Sequence, residues 1–204
     1  MTTKQTKPSK LTELAAQKAA DNIPDMSRQS FKWLADKISK LKNMSAIPNA
    51  ISKENFRRTN QFKLGRLYYF YYNPKGKDSL PYYDKFPLVL ALEKYPDGFL
   101  GLNLHYLPIK YRMVFLNKLM QFAVHNEAGE IQRMRVTYDI LSATRRFREF
   151  RPCLKRYLHG HIQSKILAVQ PNEWEIATYL PIQKFKGAMV NEVWQDSIHE
   201  VKEN

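Results

Sequence analysis

Seven cations fall within 21 positions of this chain: Arg145, Arg146, Arg148, Arg151, Lys155, Arg156 and Lys165, against a single acid, Glu149. Guanidinium groups fork onto phosphates, and lysines meet them as compact point charges. The block therefore points to a phosphate-bearing or carboxylate-rich partner. Arg145, Arg148 and Arg151 are spaced three apart, which on a helix would make one ridge of guanidinium groups. Phe147, Phe150 and Tyr157 are interleaved and could stack on exposed bases; as large apolar side chains they are read here as core. The competing reading of the cations themselves is a solvated helix face.

Other chemistry finds less support. His159-Gly160-His161 offers two metal ligands, but no carboxylate or cysteine nearby completes a set, so no metal is expected. Asp84 and Glu93 fall on strand-like runs, as a nuclease would require. Lys94 follows Glu93 directly, however, and the one-residue gap that would put both side chains on one strand face is missing. Cys153 follows Pro152 at a predicted helix start amid arginines, a setting expected to lower a thiol pKa, yet it has no partner base in the pattern. No Gly-x-Ser-x-Gly elbow and no phosphate-cradling glycine loop is present. The chain is expected to be non-catalytic, with no cofactor and no small-molecule substrate.

Charge bounds the partner more tightly than any motif. Lys and Arg number 33 against 19 Asp and Glu, a net charge of +14 over 204 residues. Such an excess favours a polyanion or an acidic protein face. It is uneven: residues 1–63 carry +8, 64–144 carry +3, 145–165 carry +6, and 166–204 carry −3. The single cysteine excludes an internal disulfide. No apolar run approaches the ~18 residues of a membrane span, and the polar N-terminus lacks the apolar core of a signal peptide. A soluble chain in a reducing cytoplasm, or one assembled from it, is the expectation.

The elements that must position these residues follow from periodicity. Leu11, Leu14, Ala15 and Lys18 share a helix face, ended near Ile23-Pro24-Asp25. Ser30 is predicted to cap a second helix with Phe31, Leu34, Ile38 and Leu41 inward. Residues 66–72 are apolar on both alternating faces and predict a strand covered on both sides. Strands are expected over 86–92 and 99–106, joined by a hairpin at Pro96-Asp97-Gly98 where glycine would accept positive φ. Pro108 suits the start of a helix over 109–123. A helix over 136–150, a short helix after Pro152, strands over 165–169 and 173–180, and a helical tail over 184–201 complete the prediction. Between two prolines, the loop with Pro81, Tyr82, Tyr83 and Phe86 is stiff and aromatic, as protein interfaces are; the competing reading folds it over the protein's own core. The expected fold is α+β: about five antiparallel strands, curved enough for a small SH3-like barrel, packed with helices. Residues 1–63 form a basic helical N-terminal extension and 64–204 a single domain.

Three blocks together resemble a known family: YYNPK at 71–75 with LPYYDKFPL at 80–88; GFLGLNLHYLP at 98–108; and FRPC at 150–153 with NEWEIA at 172–177 and VWQDS at 193–197. The set is similar to DNA end protector and head-completion proteins of contractile-tailed bacteriophages, over roughly residues 60–198. The resemblance implies a virion protein, assembled in the host cytoplasm among neck, portal or baseplate proteins. It implies binding to the ends of packaged linear double-stranded DNA and shielding from host exonuclease. The family motifs carry no catalytic roles, so none transfer. The alternative within the same resemblance is a neck or baseplate component with no protective role.

Overall fold

Ser9 and Ser27 start the first two helices. Each serine is extended, and its hydroxyl oxygen accepts a backbone N–H three residues on, from Thr12 at 3.2 Å and from Ser30 at 2.9 Å. That satisfies a donor the helix itself leaves unpaired. The computed structural model describes residues 8–52, 58–59, 62–124 and 148–203. Within them, α1 spans Lys10–Ala20, α2 Arg28–Ser39 and α3 Ile47–Ser52. The predicted cap Ser30 is instead buried in the first turn of α2. Ser27 takes the capping role because the extended backbone it needs lies there.

The strands are β1 (Arg58–Thr59), β2 (Leu67–Tyr69), β3 (Tyr83–Asp84), β4 (Leu88–Tyr95), β5 (Gly98–Asn103), β6 (Leu154–Leu158), β7 (Ile166–Ala168) and β8 (Phe185–Lys186). Six of them form one antiparallel sheet in the order β1-β7-β2-β4-β5-β6, and β3 pairs with β8 in a separate ribbon. The sheet is open, with β1 and β6 at its edges, so the α+β class holds but the SH3-like barrel does not. Beyond the strands, an antiparallel bridge ties Tyr72 to Ile162.

Both faces of the sheet are covered, as the double apolar alternation of 66–72 requires. Leu67, Tyr69, Leu88, Leu90 and Leu102 face the helices in the main core, together with Leu11, Leu14, Leu34 and Ile51 from α1 to α3. Tyr68, Phe70, Tyr72, Val89, Phe99 and Tyr157 form a second core on the opposite face, closed by Phe62. Phe62 lies 3.9 Å from Phe99 and meets Tyr68 edge-on at 5.0 Å between ring centroids. The described part of 1–63 thus packs its apolar faces into the same core as the sheet.

The β4–β5 hairpin turns at Pro96-Asp97, with Tyr95 paired to Gly98. Gly98 is needed for a different reason than predicted. Its φ is not positive; rather, a Cβ there would meet the Tyr157 carbonyl oxygen at 1.9 Å. The glycine lets β6 approach β5.

On the helical side, α4 spans Ile109–Val124, as predicted after Pro108. Three predictions on the C-terminal side fail. The helical tail expected from residue 184 begins only at Val190, because Phe185 and Lys186 pair with Asp84 and Tyr83 as β8. Residues 148–153 form a 3-10 turn, and the expected helix after Pro152 is the edge strand β6. The expected strand over 173–180 is a helix, α5 (Trp174–Tyr179). Pro171 at the preceding 3-10 turn and a reciprocal capping box between Gln170 and Glu173 start it, and these override the strand-like alternation of a segment buried on every side. The chain ends in α6 (Val190–Glu203). The helix predicted over 136–150 lies, except for its last residues, outside the described residues. Among the described residues no helix is long and apolar enough to cross a membrane.

Candidate nucleic-acid interface

The described cations of the 145–165 block sit on two elements and a connecting segment. Arg145 and Arg146 lie outside the described residues. Arg148 and Arg151 belong to the 3-10 turn, and Arg151 is exposed. Lys155 and Arg156 are on β6, opposite Gly101 and Leu100. Lys165 is exposed just before β7.

Local contacts separate these cations further. Lys155 is half-buried with its ammonium 4.4 Å from the Tyr106 ring centroid, and burial holds its pKa below the ordinary lysine value. Arg156 lies 3.7 Å from the Tyr95 ring centroid and ion-pairs with Asp97, so it clasps the β4–β5 turn. Both also serve the edge strand, since charged side chains discourage another strand from adding there. Arg151 and Lys165 have no ion pair with a described carboxylate. Tyr157 is buried in the second core, and Phe150 packs against Phe115 at 4.9 Å; these two are core, as read from the sequence, while Phe147 lies outside the described residues.

Of the four aromatic-loop residues, Pro81 is exposed, while Tyr82 and Tyr83 are half-buried. Tyr82 lies against Tyr106 and Phe185, and burial together with the nearby Asp196 pushes its hydroxyl up to about 12. Phe86 corrects the expectation. It is 1% exposed and stacked on Tyr69 at 5.0 Å, so it belongs to the core and cannot touch a partner. At Phe86 the loop turns into the protein's own interior, which is where an aromatic of that size finds the most apolar contact.

Sequence patterns missed what holds this region in place. Asp84 is a buried hub. One carboxylate oxygen accepts the Phe86 N–H at 3.0 Å and the Lys184 N–H at 3.1 Å; the other faces His105 Nδ1 at 2.7 Å and the Asn103 amide at 3.3 Å. Burial opposes its charge, but the His105 ring and the donors around it hold the carboxyl below its ordinary range. Burial lowers the His105 pKa in turn, against the pull of Asp84. That assigns a neutral ring with the proton on Nδ1, leaving Nε2 without a hydrogen-bond partner among the described residues. Arg112, fully buried, donates to the Leu107 and His105 carbonyls and to Gln183, and desolvation brings its pKa down to about 10. Trp194 from α6 donates to the same His105 carbonyl at 2.9 Å. A signal existed in the short Asp, Asn, His series at 84, 103 and 105, but nothing in one sequence marks such residues as buried together.

The residues weighed for catalysis are dispersed. Asp84 is enclosed in the hub, while Glu93 is exposed and accepts the Tyr95 hydroxyl at 2.7 Å. Cys153 reverses its expectation: it is fully buried, and desolvation pushes its thiol up to about 12. His161 Nδ1 faces the Asn73 carbonyl at 2.9 Å, and among the described residues no group of three or more His, Cys, Asp or Glu is placed to hold a metal ion.

A family model described as the phage T4 terminal DNA protecting protein matches residues 5–197. Neither a curated protein nor a solved structure matches the chain. The matched span reaches back through α1 and α2, which the sequence resemblance had left outside.

Proposed function

We propose a function that proceeds from family membership: this chain belongs to the phage T4 terminal DNA protecting protein family. It binds the ends of linear double-stranded DNA packaged in a virion and shields them from exonuclease, acting by occupancy and not by catalysis. It works as a component of the particle, beside head-completion or neck proteins, after assembly in the host cytoplasm. The observation that carries this reading is the family match over nearly the whole chain; the net charge of +14 supplies the chemistry. A surface this basic gathers duplex DNA by releasing condensed counterions, a sequence-independent attraction suited to termini of any sequence. Within the 145–165 block the phosphate contacts are assigned to Arg145, Arg146, Arg148, Arg151 and Lys165, since Lys155 and Arg156 are engaged by their own neighbours.

The test is exonuclease digestion of a linear duplex with and without the protein, beside binding to linear and closed circular DNA across a salt series. Protection of the linear ends and preferential binding to linear DNA are expected. The variant Arg145→Ala/Arg146→Ala/Arg148→Ala should protect less, with a log-affinity against log-salt slope shallower by about 2.7, roughly 0.9 for each phosphate no longer neutralised. Negligible binding to both DNAs at low salt would remove the function. Undiminished protection by the variant would remove the assigned site and leave the function standing.

A further inference from the structure

We propose that the outward face of the β3–β8 ribbon is a second duplex-DNA contact, in which Lys85, Lys184 and Lys186 meet backbone phosphates. The proposal rests on the DNA-binding reading above and adds a site that lies outside the arginine block.

Strand geometry brings the three lysines together. Tyr83 pairs with Lys186 and Asp84 with Phe185. The Lys85 N–H then donates to the Lys184 carbonyl at 2.7 Å, extending the ladder by one rung. Side chains alternate across such a ribbon. Asp84 points inward at 3% exposure and Phe185 packs on the main core. Lys85, Lys184 and Lys186 are therefore left on the opposite face. Lys85 and Lys186 are exposed, and Lys184 is half-buried with its ammonium 5.8 Å from the Tyr71 ring centroid.

This arrangement works against stability when nothing else is bound. Lys85 and Lys184 stand directly opposite each other, where like charges repel at Cβ separations of about 5 Å. Among the described residues no carboxylate forms an ion pair with any of the three. The acid beside them in the ribbon, Asp84, is turned away, and both its oxygens are occupied. A polyanion is what relieves such a cluster.

The face is also pre-organised. Asp84 accepts the Lys184 N–H, and the Lys85 carbonyl accepts the Tyr72 N–H at 3.0 Å, so the lysine-bearing backbone is fixed to the buried hub and to the main sheet. At the ribbon's end Gly187 has φ +99 and passes so close to Pro81 that a Cβ would meet its carbonyl oxygen at 2.3 Å. Charges held on a rigid platform lose little entropy on binding. Lysine ammonium groups are point charges without the fork geometry of arginine. They suit phosphate contacts that fix position and carry no sequence readout.

The experiment measures binding of the full chain to a blunt linear duplex by fluorescence anisotropy between about 50 and 200 mM salt, the range over which phosphate contacts are most visible. It compares wild type, Lys85→Gln/Lys184→Gln/Lys186→Gln, the double variant Lys85→Gln/Lys186→Gln, and a control with the same charge loss elsewhere, Lys32→Gln/Lys94→Gln/Lys110→Gln. Thermal melts establish that each variant is folded; the double variant spares the half-buried Lys184 should the triple one melt early. The triple variant is expected to flatten the salt slope by about 2.7 and the double by about 1.8, with the control unchanged. A wild-type slope in the ribbon variants, or an equal loss in the control, would overturn the ribbon site while DNA binding by the wild type stands. Ribbon variants that keep full DNA affinity but fail to enter particles would also overturn it, and would assign the face to an acidic protein. Absence of binding by the wild type would overturn both readings at once.

Discussion

His105 shows how much of this protein's local stability depends on one proton. Its ring is fully buried, Nδ1 is fixed against Asp84, and Nε2 has no hydrogen-bond partner among the described residues. Protonation would place an unsatisfied N–H and a second cation beside Arg112. The folded-state pKa is lowered from 6.5, so below that pH the unfolded chain takes up a proton that the folded chain refuses. Stability is therefore complete above pH ~6.5 and falls as the pH drops through the window beneath it, by up to about 1.4 kcal/mol per unit for one proton. The lowered carboxyl of Asp84 adds a loss of the same sign at lower pH, beneath its ordinary value of 3.8. Urea denaturation at pH 7.5, 6.5 and 5.5 should record this slope. His105→Asn should lower stability at pH 7.5 and flatten the slope between 6.5 and 5.5. An unchanged slope in the variant would place the titrating group elsewhere. The sequence offered five histidines of equal standing, and only the three-dimensional enclosure separates this one.

Among the elements, α1 and α5 are tied by a buried ion pair between Lys18 and Glu175, with Asp25 joining from the α1–α2 connection. Glu175 also accepts the Met26 N–H at 3.0 Å. Removing one partner strands the other charge in the interior, which typically costs about 3–5 kcal/mol. Lys18→Met should lose about that much in a denaturant titration. Lys18→Met/Glu175→Gln should recover part of it, because the glutamine carbonyl can still accept the Met26 N–H. A double variant as unstable as the single would show that packing, not the stranded carboxylate, sets the loss. The α1 end of this tie was legible: Leu11, Leu14, Ala15 and Lys18 fall on one face in the sequence and all four are buried. The α5 end was not. Trp174, Ile176 and Thr178 alternate like a strand, but every residue from 174 to 178 is buried, so polarity carries no period to read. A different limit hid β6: Pro152 reads as a helix start, and the adjacent Lys155 and Arg156 interrupt the alternation that would mark an edge strand. The β4–β5 hairpin was legible because its turn residues and both flanking apolar runs are local.

At the scale of the whole molecule, charge could be counted from the sequence but not located. The arginine block was visible because its members are neighbours in the chain. The ribbon lysines were invisible because Lys184 meets Asp84 across 100 positions, in a C-terminal segment whose net charge is negative. Open sheet and double core likewise depend on distant pairings: β1 with β7, Tyr72 with Ile162, and Phe62 closing over Phe99. The tie between Lys18 and Glu175 spans 157 positions, and this has a consequence in time. At a synthesis rate of about 5–20 residues per second, α1 leaves the ribosome roughly 8–30 s before its partner is made. Until then its apolar face and its buried lysine have nowhere to go. The N-terminal helices must therefore wait, and the fold closes only once the last third of the chain has emerged. Stalled nascent chains ending at residue 160 should be digested by a brief protease pulse, whereas chains carrying residues 1–204 on a long tether should resist it. Equal resistance would mean that the first helices find a stable home before α5 exists.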